Sequence, residues 1–113
     1  MGYIPEQGDI ITLEFEPQIG HEQKGKRPAL VVSNNTFNTF TKMAMVCPIT
    51  NTNKGFPLHV PLDERTETTG VVMCEQAKIL DVSARNVAFR EKASTELLEE
   101  VVDILTGFIE MPK

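Results

Sequence analysis

Two apolar runs, ALVVS at 29–33 and MAMVCPIT at 43–50, constrain the fold more than any other feature of the chain. Each is far shorter than the roughly 18 residues a membrane helix needs. Each is also continuous rather than alternating, which marks a central strand buried on both faces. Such strands need neighbours, and the sequence supplies them. DIITLEFEP at 9–17 alternates, with Ile11, Leu13 and Phe15 on one face and Thr12, Glu14 and Glu16 on the other, so it reads as a half-buried strand ended by Pro17. LHVPL at 58–62 contains Pro61, which confines it to a sheet edge. TGVVMCEQAKIL at 69–80 and NVAFRE at 86–91 complete a set of about six or seven short strands parted by Gly, Pro and Asn turns. The expectation is a mainly β protein, a small antiparallel barrel or sandwich.

One segment reads as a helix. From Ser94, an N-cap with Glu96 in the first turn, Leu97, Leu98, Val101, Val102, Leu105, Phe108 and Ile109 recur at helical spacing. Glu99, Glu100 and Asp103 take the solvated side, and an acidic face is a poor surface for RNA, so the helix is read as packing. The stretches 17–26, 34–42, 51–57 and 63–69 read as loops, where a small scaffold keeps its chemistry. At 113 residues the chain is expected to be a single domain, 1–113, with one core.

Charge is unevenly spread. The formal net charge is −5, which argues against a nucleic-acid partner. Yet residues 20–54 carry Lys24, Lys26, Arg27, Lys42 and Lys54 against Glu22 alone, whereas residues 91–113 carry six acids against Lys92 and Lys113. A locally basic surface away from the C-terminal helix is therefore compatible with the total. Cys47 and Cys74 sit inside apolar stretches without CxxC spacing and read as buried hydrophobes, so no metal is assigned. The N-terminal MGYIPEQGD lacks the basic and apolar regions of a signal peptide, and no membrane association is expected; the expected location is the cytoplasm.

The densest chemistry lies in GHEQKGKRPALVVS, residues 20–33. His21 and Glu22 are candidate bases, Gly25 permits close approach, and Lys24, Lys26 and Arg27 can bind anions. Arg27 is followed by Pro28 and an apolar strand, so its backbone is fixed and its planar fork can grip a phosphate bidentately. Thr50 ends a buried strand and exposes a hydroxyl beside the polar run Asn51 to Lys54. Glu75 and Gln76 interrupt an otherwise apolar strand. By spacing alone each of these also fits a plain surface role.

The order GDI, EP, GHEQKGKRPALVVS, NTF, CPIT, KGFPLHVPL, TTGVVMCEQ and DVSAR runs through nearly the whole chain and resembles the MazF/PemK/Kid family of toxins from bacterial type II toxin–antitoxin modules. The resemblance implies a small SH3-like barrel of the CcdB/PemK/MazF type with a C-terminal helix, and a homodimer. It implies metal-independent, cofactor-free cleavage of single-stranded RNA at short sequences, leaving 2′,3′-cyclic phosphate and 5′-hydroxyl ends and so stopping translation. It also implies a MazE-like antitoxin whose acidic, disordered tail lies over the RNA groove. On this resemblance Arg27, Thr50 and Glu22 are catalytic, with His21 the base of the Kid branch. Kid-type members have an arginine and an aspartate where this chain has Met73 and Glu75; Glu75 keeps the charge, but Met73 cannot contact a phosphate, which favours the set Glu22, Arg27 and Thr50. His21, Gln23, Lys24, Lys26, Lys54, Phe56, Glu75 and Gln76 are the expected RNA contacts, with the loops at 51–57 and 63–69 reading bases. Phe56 fits a stacking role or a place against the core. Two other readings remain: a CcdB-like toxin that acts on DNA gyrase by protein contact, and a non-catalytic barrel that binds a peptide in its loops.

Overall fold

The structure is a computed structural model that describes residues 2–15, 26–52 and 55–112. It is mainly β. The strands are β1 (Asp9–Leu13), β2 (Arg27–Val31), β3 (Met43–Thr50), β4 (His59–Pro61), β5 (Val71–Met73), β6 (Lys78–Asp81) and β7 (Ala88–Lys92), with helices α1 (Asn35–Thr41) and α2 (Thr95–Ile109). All pairings are antiparallel, in the order β4-β5-β3-β2-β1-β7, and β6 also pairs with β3. No helix among the described residues is long and apolar enough to cross a membrane.

β2 and β3 are the central strands expected from their unbroken apolar sequence, and each feeds two clusters of buried side chains. Leu30, Cys47, Ile49, Val60 and Val72 join Leu97 and Val101 of α2 in one cluster; Ala29, Val31, Ala44 and Val46 join Ile11 and Leu13 in the other. β1 is more buried than its alternation suggests. Ile10, on the face opposite Ile11, is fully buried in the cluster under α2, because that helix covers a side the sequence left to solvent. The strand also stops at Leu13 rather than running to Glu16. Asp9, itself buried, ties the N-terminal segment to β7: Tyr3 donates its hydroxyl to the carboxylate, and Lys92 Nζ lies 2.5 Å from Oδ1.

Residues 34–42, read above as a loop, hold helix α1. Asn and Thr are weak helix formers, and here local capping and tertiary bonds override propensity. The Asn34 side chain caps the Phe37 N–H, Lys42 closes the helix in the left-handed region at φ 62°, and buried Asn38 donates its amide to the Pro5 and Ser33 carbonyls. At the other end of the chain, α2 begins at the expected cap: the Ser94 hydroxyl accepts from the Leu97 N–H at 3.1 Å. Leu97 and Val101 are buried, whereas Phe108 and Ile109, in the apolar stripe by spacing, are exposed on the last turn.

TGVVMCEQAKIL is not one strand. β5 and β6 lie end to end along the same edge of β3, with Ile49 opposite Val72 and Val46 opposite Lys78, and the three residues Cys74–Gln76 form a 3₁₀ turn between them. Cys74 stays in the core while Glu75 and Gln76 are turned out of the ladder, as in a wide bulge. The loop before β5 is pinned at its far end, where both the N–H and the hydroxyl of Thr68 donate to the Glu91 carboxylate at 2.8 and 2.6 Å.

Gly70 fixes how β5 meets β3. Its φ is +116°, and a Cβ there would lie 2.3 Å from the Thr50 carbonyl oxygen. Gly70→Ala is therefore expected to cost roughly 3 kcal/mol or more by combining backbone strain with a backbone clash. Gly107→Ala, in α2 with open space around it, is expected to be neutral or stabilising by up to about 1 kcal/mol. Denaturant midpoints of the two variants check both. Burial pushes the Glu91 carboxyl up, but bonds from the Thr68 hydroxyl and the N–H groups of Thr68 and Glu67 outweigh it, leaving the pKa below its ordinary 4.5. A lowered carboxyl pKa stabilises the fold above the ordinary value and ceases to do so as pH falls through the folded one. Glu91→Gln should thus be less stable than the parent by about 1 kcal/mol at neutral pH, with the gap closing below pH 4.5.

Candidate active-site cleft

The alternation of the β3, β5 and β4 ladder separates core from cleft. Ile49, Val72 and Val60 point into the cluster under α2, so Thr50, Met73 and His59 occupy the opposite face. An open cleft of about 510 Å³ lies over that face, walled by Thr52, Gly55, Phe56 and Pro57 and closed on one side by Glu75. Its position follows from the turn between β5 and β6, which ends the ladder beside Met73 and swings the Glu75 carboxylate over the sheet.

Thr50, at the end of β3, is half-buried, and its hydroxyl oxygen accepts from the Thr52 N–H at 3.2 Å, leaving its proton available to a ligand. Arg27 opens β2 and is exposed, as is Lys26 before it. Ala29 stands opposite Pro48 and Leu30 opposite Cys47, and at Ala29 and Pro48 the β2–β3 ladder ends; Arg27 lies two residues beyond it at the start of β2, and Thr50 two residues beyond it at the end of β3.

Phe56 is 44% exposed and packs its ring against His59, with centroids 5.1 Å apart at an interplanar angle of 80°, so it belongs to the cleft wall rather than the core. Glu75 also reaches the cleft, and Gln76 follows it in the turn with its residue exposed. The residues His21, Glu22, Gln23, Lys24 and Lys54 lie outside the described residues. Of the two loops expected to read bases, 51–57 contributes the cleft wall, whereas 63–69 does not line it: Arg65 binds Asp63 and Glu96, and Thr68 binds Glu91.

His59 was not singled out by sequence. Its Nε2 lies 3.1 Å from Glu75 Oε2, and its side chain is only 11% exposed. The signal was present in LHVPL, since alternation around buried Val60 puts His59 on the outer face. The two cysteines are buried as expected. Burial pushes the Cys47 thiol up to about 12 and the Cys74 thiol up to about 11, so neither is a nucleophile near neutral pH.

Comparison with known proteins gives this geometry a family. Residues 6–109 match the profile described as "PemK-like, MazF-like toxin of type II toxin-antitoxin system". The chain is 34% identical over 108 residues to the endoribonuclease toxin MazF of Escherichia coli K12, an overlap of 93% of this chain and 96% of that one. It is 38% identical over 113 residues to the endoribonuclease toxin ChpB of the same strain, covering 93% of this chain and 94% of the other. Among solved structures, a MazE–MazF crystal form from Deinococcus radiodurans superposes with a TM-score of 0.89 at 36% identity, over 98% of this chain and all of that one. These matches do not favour the gyrase-directed alternative. The chain belongs to the PemK-like, MazF-like toxin family of type II toxin–antitoxin systems.

Proposed function

We propose that this endoribonuclease toxin cuts single-stranded RNA at short sequences without a metal, using the 2′-hydroxyl of the RNA as nucleophile. What supports the reading above all is the antiparallel pairing of β2 with β3, which runs toward Arg27 at the start of one strand and toward Thr50, in the lining of an open cleft, at the end of the other. A guanidinium and a hydroxyl donor facing one point can hold a phosphodiester between them.

Glu22, with His21 as the alternative, accepts the 2′-hydroxyl proton; general-base help of this kind contributes about 10²–10⁴ in rate. The 2′-oxygen then bonds to phosphorus, Arg27 offsets the charge of the pentavalent state, and the Thr50 hydroxyl donates to a non-bridging oxygen. Arg27 acts electrostatically, since a guanidinium scarcely gives up a proton. The bond to the 5′-oxygen breaks and that oxygen takes up a proton, which leaves a 2′,3′-cyclic phosphate and a 5′-hydroxyl. DNA lacks the nucleophile and survives.

Lys24, Lys26 and Lys54 attract the phosphate backbone, Gln23 and Gln76 supply hydrogen bonds, and Phe56 offers a ring for stacking. The module would include a MazE-like antitoxin, as in the Deinococcus radiodurans complexes, whose acidic tail competes as an anion for Arg27 and the lysines. A homodimer would carry two clefts, RNA would cross both in the cytoplasm, and cleavage of messages would stop translation and growth.

The test is purified protein with single-stranded RNA in excess EDTA, alongside Arg27→Ala and Thr50→Val, with the ends mapped. Cuts with 5′-hydroxyl ends are expected, slowed by about 10²-fold or more in Arg27→Ala and about 10-fold or more in Thr50→Val. Intact RNA at micromolar protein overturns the ribonuclease reading, and undiminished cleavage by Arg27→Ala overturns the site.

A further inference from the structure

One group in the cleft has no part in the phosphate chemistry. Glu75 is the only carboxylate among the described residues that line it, and a carboxylate facing RNA repels the backbone. Its position is nevertheless fixed. It leaves the ladder on the three-residue turn, and its Oε2 is held by His59 at 3.1 Å. His59 is in turn locked by the Phe56 ring against it and by its place in β4 opposite Met73. Its Nδ1 is buried and has no hydrogen-bond partner among the described residues. An unpaired N–H would be costly there, so the proton belongs on Nε2, which donates to Glu75. The dyad leaves Glu75 as an oriented acceptor in the cleft lining, Oε2 held by His59 and Oε1 its remaining acceptor.

Such an acceptor sorts bases by their edges. Adenine, cytosine and guanine each present an exocyclic amine to a carboxylate. Uracil presents one N–H between two carbonyl oxygens, which the carboxylate repels. The Phe56 face and Pro57 supply the flat apolar walls a base needs, and about 510 Å³ accommodates a base with part of its sugar.

We propose that the Phe56–His59–Glu75 cleft is a specificity pocket for one unpaired nucleobase beside the cut, accepting amine-bearing bases and rejecting uracil, with His59 as the positioning residue that aims the Glu75 carboxylate. This rests on the ribonuclease reading above and adds which base the site takes.

The experiment walks each of the four bases through every position flanking a mapped cut, in oligoribonucleotides made uncleavable by a 2′-deoxy sugar at the scissile residue, and measures binding to the intact protein. At one position uridine is expected to weaken binding by about tenfold or more relative to the preferred amine-bearing base. Glu75→Gln, whose amide carbonyl and amine suit either kind of edge, should reduce that ratio to within about threefold. His59→Leu should reduce it similarly, whereas a merely structural role for His59 would weaken all four bases alike and keep the ratio. Uridine tolerated at every position overturns the proposal, as does a ratio unchanged in Glu75→Gln. Because binding is read apart from cleavage, cuts that map as expected but carry no uridine penalty at any flanking position overturn the pocket and leave the ribonuclease reading standing.

Discussion

β3 is paired along both edges, and along one of them two different strands take turns. β6 covers its first half, β5 its second, and the chain passes from one to the other through three residues that leave the ladder. A continuous strand from 71 to 81 would have kept Glu75 and Gln76 within the pleat, one facing the core and one facing out. The turn instead keeps Cys74 buried and sends both polar residues to the surface. It also shortens β5 to Val71–Met73, so the ladder ends where the cleft begins. Gly70 completes the arrangement from the other side, since only a residue without Cβ can approach the Thr50 carbonyl so closely.

The barrel-type architecture and the terminal helix were legible because they follow from patterns with one interpretation. Unbroken apolar runs such as ALVV and MAMVC require cover on two faces, and a Ser cap followed by a 3.6-residue stripe requires a helix. What the sequence hid has a shared cause: contacts between segments distant in the chain. α1 is carried by Asn34 and Asn38, whose side chains bond to the backbone at Phe37, Ser33 and Pro5, and residues of low helix propensity give no hint of this. Ile10 went unassigned because nothing in its own strand shows that α2 lies over it. The split between β5 and β6 was unreadable because VVMCEQAKIL has no Gly or Pro to mark a turn.

The candidate site divides along the same line. Arg27 and Thr50 could be named from their places at strand ends, and the pairing of the two buried runs makes those strands neighbours. Phe56 and Glu75 were named as contacts without a common location; the ladder supplies it. His59 was overlooked because a histidine beside valine and proline in an edge strand reads as ordinary surface. Its value comes only from the carboxylate that the turn brings to it.

The two faces of the β3, β5 and β4 ladder also explain how an acidic protein keeps a surface fit for RNA. The helix with most of the C-terminal carboxylates packs on the core face, through Leu97 and Val101, while Thr50, Met73 and His59 look the other way. The acids of α2 therefore stand on the other side of the ladder from the cleft, and the net charge of −5 says little about the local field. Among the described residues only Glu75 brings negative charge to the lining. A carboxylate in that position lowers affinity for any phosphate chain, whatever its sequence, unless it gains a partner that only some sequences offer. The cost is uniform and the gain selective, which is the arrangement by which a small site turns binding into discrimination.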